Sequence, residues 1–132
     1  MYQAAINAFF ADSQVQRLLQ PDLLVRELVY IGPTFFDTHR PVSNEIMQML
    51  RAHTSAAGLV EAQHEQPGGL LLAVGSIGQD PSAATVYPQS GPTIQLSAQI
   101  SGTSCGASVG IGYLLVETDH GWQAQQYLVA VC

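Results

Sequence analysis

The last forty residues of this chain alternate apolar and polar side chains so regularly that a β-sheet is the fold they specify. Ile94, Leu96, Ala98 and Ile100 alternate with Gln95, Ser97, Gln99 and Ser101. A period of two puts one face of a strand in a core and the other in water. Val109 to Thr118 predicts a second strand, with Tyr113, Leu115 and Val116 near its centre. Asp119-His120-Gly121 is tight-turn chemistry, and Trp122 to Cys132 predicts the final strand. In a regular strand Tyr127, Val129 and Val131 share one face, and Leu128 and Ala130 the other. Apolar residues on both faces read as a central strand covered twice.

The front of the chain has helical spacing instead. Ala5, Ile6, Phe9 and Phe10 follow the i, i+3, i+4 pattern. Asp12-Ser13 interrupts it, and Ser13 with Gln16 forms a capping-box signature for a second short helix, whose buried stripe is Val15, Leu18 and Leu19 and which Pro21 ends. The expectation is a broken helix over 3–20 with a bend at 12–13. Leu23 to Ile31 predicts a strand stopped by Gly32-Pro33. Pro41 and Ser43 both suit the start of a helix over about 42–57, with Ile46, Met49, Leu50 and His53 on one face and Gly58 as its stop. From Leu59 the period returns to two, and Pro67-Gly68 suits a type II turn, so 59–77 reads as a hairpin whose second strand is Leu70–Ile77. Residues 78–92 hold three prolines and two glycines and read as a loop, with room for a short edge strand near Thr85–Tyr87.

These elements make an α+β domain spanning 1–132: a broken N-terminal helix and a second helix on one face of a curved, mostly antiparallel sheet of about five to six strands. Their order is similar to that of the cone-shaped domains of the nuclear-transport-factor-2-like class and of cystatin-like folds. The likeness is of element order alone and carries no function with it.

Charge narrows the partners. Only 11% of residues are charged and the formal net charge is −6, against about 25% charged residues in an ordinary soluble domain. The cations are four arginines (Arg17, Arg26, Arg40 and Arg51) with no lysine. Nucleic acid and anionic membranes draw affinity from clustered Lys and Arg, so neither is expected. A surface this short of charge is weakly defended against self-association, which makes a homodimer the simplest expected partner, beside an unknown small molecule or protein. No apolar run reaches the length of a spanning helix, and no signal peptide opens the chain. That favours the cytoplasm, unless Cys105 and Cys132 form a disulfide or an upstream signal was removed, when a periplasmic or secreted setting follows.

Candidate chemistry is sparse. Cys105 sits in the small, flexible run 102–109 and is a candidate nucleophile. The same position also suits a buried cysteine in a strand connection, or a bridge to Cys132. Asp37 and His39 lie on one loop as an acid/base pair, or as helix-capping and solvated residues. Tyr30, Phe35, Tyr113, Trp122 and Tyr127 are candidates to line an apolar pocket against the sheet, or simply fill the core. Gly110 and Gly112 share one strand face and invite close packing there. The histidines have no metal-ligand spacing, and no motif calls for a cofactor. The leading expectation is a non-catalytic binding or interaction module. A small enzyme built on Cys105 or on Asp37 and His39, and an inhibitor or immunity-type protein that masks a partner, are the alternatives.

Overall fold

The computed structural model describes residues 1–19, 31–36, 40–53, 70–100 and 108–132. In chain order its elements are α1 (Tyr2–Ala11), α2 (Ser13–Leu18), β1 (Ile31–Phe35), α3 (Asn44–Arg51), β2 (Leu70–Val74), a 3₁₀ turn η1 (Pro81–Thr85), β3 (Thr93–Ile100), β4 (Ser108–Thr118) and β5 (Gly121–Val131).

The helix break falls where the sequence places it, with a different residue making the cap. Asp12 is extended (φ −67°, ψ 136°), which ends α1. Its Oδ1 accepts from the Gln14 N–H at 2.8 Å and the Val15 N–H at 3.2 Å, covering donors that the first turn of α2 cannot use. Ser13 is thus the first residue of α2 and not its cap. Ser43 caps α3, its hydroxyl accepting from the Ile46 N–H. Glu45 in the first turn and Arg51 in the last complement the helix dipole. His53 stacks on Phe10, with ring centroids 5.0 Å apart and planes 6° from parallel, and its Nε2 stands 2.7 Å from Asn7 Oδ1. It is a satisfied residue at the rim of the core.

Five strands form one sheet in the order β1-β2-β3-β4-β5. β2 to β5 are antiparallel neighbours, and β1 joins β2 in parallel. β1 runs through Gly32-Pro33, where the sequence suggested a stop. An edge strand tolerates a proline, because an N–H turned away from the ladder is not missed. The rest of the strand expected from Leu23 lies outside the described residues. So does residue 59–66, the first half of the expected hairpin; both sides of β2 are taken, by β1 and β3. The segment after it is not an edge strand but η1, with Asp80 as N-cap and Pro81 at the first helical position.

The helices cover one sheet face. Ala5, Ile6, Phe9 and Phe10 of α1, Val15 of α2 and Ile46, Met47 and Leu50 of α3 join Leu70, Leu72, Val74, Ile94, Leu96, Ala98, Val109, Ile111, Tyr113 and Leu115 in one buried cluster. Each fully buried Leu, Ile or Phe there contributes about 1.5–3 kcal/mol relative to exposure. Over the other face, Ala83 of η1 and Leu114 of β4 are both buried.

The expectation for the last strand is corrected. β5 is not central and covered twice; it is the sheet edge beyond β4, and most of its residues are exposed. Apolarity on both faces has a second cause besides double burial, which the edge itself supplies.

Candidate interaction site on the sheet edge

The chain reverses between β4 and β5 at Asp119-His120, and Gly121 takes φ +103°, a value that a side chain would oppose. From there the strands pair residue for residue until the register shifts between Gly112 and Tyr113. Gly112 pairs with Leu128 while Tyr113 pairs with Gln126, so Tyr127 is the extra residue of a bulge. One extra residue changes which face a side chain meets. Tyr127 leaves the face it would share with Val129 and Val131, and its ring lies over Gly112. A Cβ at Gly112 would stand 2.8 Å from the Tyr127 Cζ. The close approach expected at this glycine is real, and an aromatic ring of the neighbouring strand makes it.

Two tyrosines tie the segment around η1 to β5. The Tyr127 hydroxyl donates to Asp80 Oδ2 at 2.7 Å, and Asp80 Oδ1 accepts from the Ser82 N–H at 3.0 Å. The Ser82 N–H first, and the Tyr127 hydroxyl next, hold the Asp80 carboxyl below its usual range. Burial, and then the bond to Asp80, push the Tyr127 hydroxyl up. The Tyr87 hydroxyl donates to the Gln126 carbonyl at 2.6 Å. Beside this staple lies a cleft of about 300 Å³, lined by Phe36, Ser76, Gln79, Asp80, Thr93 and Gln95 among others. It lies on the face away from the helices and its lining mixes apolar groups such as Phe36 and Ile94 with polar ones, where an apolar pocket against the sheet was expected.

The edge itself is the larger feature. Ser108 and Cys132 exchange both backbone hydrogen bonds. Antiparallel pairs alternate between bonded and non-bonded, so Ala130 and Leu128 turn their backbone groups toward β4, while Val131 and Val129 turn theirs outward. Across the bulge the Gln126 carbonyl also points outward, and it is the one that Tyr87 covers. Beyond that cover the strand is bare: Leu128 is 44% exposed, Val129 37% and Val131 58%. From Gly121 to Cys132 there is no Asp, Glu, Lys, Arg or His. Lysines, prolines and inward charges are the usual defences of a free edge, and β5 has none.

The other sequence candidates are dispersed. Tyr113 is buried in the core, on the opposite face from Tyr127. Among the described residues its hydroxyl has no hydrogen-bond partner, and burial, with the Asp12 carboxylate second, pushes its pKa up. Phe35 packs at the core margin, and Trp122 is half-exposed at the hairpin end of β5. The four described aromatics, Phe35, Tyr113, Trp122 and Tyr127, therefore do not converge on one pocket. Tyr30, Asp37, His39 and Cys105 lie outside the described residues. Cys132 is disulfide-bonded, so among the described residues no cysteine is free; Cys105 is the chain's other cysteine. Among the described residues no three His, Cys, Asp or Glu side chains gather to hold a metal, and no helix is long and apolar enough to cross a membrane. Sequence reading passed over Asp80 and Tyr87. Asp80-Pro81-Ser82 carries a signal for the first, an N-cap followed by proline; nothing local marks the reach of Tyr87 to Gln126. No protein-family model, no curated protein and no solved structure matches this chain, so its function has to be argued from this geometry.

Proposed function

We propose that this protein is a non-catalytic interaction module that engages its partner through the free edge of β5. The observation that carries the reading is the bare, uncharged run Leu128–Val131, where exposed apolar side chains coincide with outward backbone donors and acceptors. Partners that add a strand to an open edge gain affinity from the main chain and specificity from alternate side chains. The state of the cysteines argues for binding over thiol catalysis, because a sulfur held in a disulfide has no thiolate to offer. The bridge at Cys132 also favours an oxidising compartment, where such bonds persist.

The test is a titration of the isotope-labelled protein with a short uncharged peptide of alternating threonine and valine, read by amide resonances. Saturable shifts centred on Val129 and Val131 are expected. Shifts confined to the cleft beside Asp80, or none at all, refute edge binding.

A further inference from the structure

We infer that the partner at this edge is a second copy of the same chain, its β5 paired antiparallel across a two-fold axis at Ala130. This rests on the edge reading above and names its occupant. Val129 and Val131 turn their N–H and C=O groups outward, because Ser108 and Cys132 form a bonded pair on the inner side. An axis at Ala130 sets Val129 of one copy opposite Val131 of the other, and the reverse. Both juxtapositions are bonded pairs, so four main-chain hydrogen bonds close the seam, and Leu128, Val129 and Val131 of each copy leave water together.

Two observations select this register and this partner. First, the Gln126 carbonyl already accepts from the Tyr87 hydroxyl. A seam centred further toward the hairpin would have to displace that bond in both copies, whereas no described side chain bonds the outward groups of Leu128–Val131. Second, the chain carries a net charge of −6, yet none of that charge lies on Gly121–Cys132. Copies meeting here bring no charged side chains of this strand together. Of the acids on the β4–β5 hairpin, Glu117 lies level with Trp122, roughly 27 Å along the strand from the axis at about 3.4 Å per residue, and Asp119 lies further off in the turn; Asp80, nearer the axis, is engaged by the Tyr127 hydroxyl. The two hairpin acids are thus beyond the screening length of about 8–10 Å near physiological salt. A charged partner would find nothing on this strand to recognise, and the strand is complementary to itself.

Sedimentation of the intact, oxidised protein from about 10 µM to about 1 mM tests the inference, the range suited to a small interface. The wild type should shift from monomer to dimer within it. Val129→Pro removes an N–H that points away from β4, so it should keep the circular dichroism of the wild type and remain monomeric throughout. If that variant fails to fold, Val131→Lys replaces it, adding a charge to each side of the seam, and should weaken the dimer at least tenfold. A wild type that stays monomeric at 1 mM overturns the second-copy assignment. In that case peptide shifts at Val129 and Val131 would still uphold edge binding, and their absence would remove both. A dimer that persists undiminished in the folded variants places the interface elsewhere and equally overturns the inference.

Discussion

Replacing Tyr113 by Phe should make this protein more stable, the reverse of the usual effect of deleting a buried hydroxyl. Tyr113 is 2% exposed and, among the described residues, its hydroxyl meets no acceptor or donor. Leaving such a group dry and unpaired costs about 1–3 kcal/mol. Its removal leaves a void the size of one oxygen, about 10–15 Å³, which at about 24 cal/mol per Å³ costs about 0.3 kcal/mol. The net gain is about 0.7–2.7 kcal/mol, raising Tm by several degrees for a domain of this size. Urea unfolding at neutral pH measures it directly. A pH series adds an independent sign. The folded-state pKa of Tyr113 lies above its unfolded value, so stability is full below pH of about 10 and falls as the pH climbs beyond it, where the unfolded chain loses this proton and the folded chain retains it. Tyr113→Phe should therefore lose less stability than the wild type above pH of about 10. A variant destabilised by 0.5 kcal/mol or more would refute the reasoning, since it would mean that the hydroxyl has a partner.

Gly112→Ala should cost about 1–3 kcal/mol, the range for forcing a methyl into a filled site, because its Cβ would meet the Tyr127 ring at 2.8 Å; the companion change Tyr127→Ala should make the alanine tolerated, and a double-mutant cycle without coupling would count against the packing described. Reduction, or Cys132→Ser, should lower stability by about 3–4 kcal/mol if the bridge closes the loop to Cys105; an unchanged urea midpoint in reductant would show that the bond does not constrain the unfolded chain.

What the sequence reveals and what it hides follow from the range of each signal. The break at Asp12, the cap at Ser43, the alternation of Thr93–Ile100 and the turn at Asp119–Gly121 are all set by residues within a few positions of one another, and all are legible. The place of β5 in the sheet is not. Leu128 to Val131 is apolar on both faces whether a strand is sandwiched in a centre or left bare for a partner, and composition alone cannot separate these. The bulge is equally hidden. A slip of one residue moves Tyr127 to the face of Gly112, and the only local hint is a glycine with room above it. The site depends most on contacts between distant positions. Tyr87 reaches Gln126 and Tyr127 reaches Asp80, separations of 39 and 47 residues, which no local period records.

The strand order carries a consequence for how the chain assembles. β3, β4 and β5 are sequential neighbours in sequence and in space, and β4 and β5 are joined by the shortest loop in the sheet. Closing short loops costs the least entropy, and proteins acquire such pairings early. The partners of α1 lie far downstream: Ile6 and Phe9 share a cluster with Leu96, Ile111 and Leu115. On a ribosome α1 emerges well before β3, β4 and β5, so it has no sheet to rest on until those strands follow. Its apolar stripe waits in solvent for strands that do not yet exist. A nascent chain halted near Ile100 should therefore be recognised by chaperones far more readily than one released after Val131.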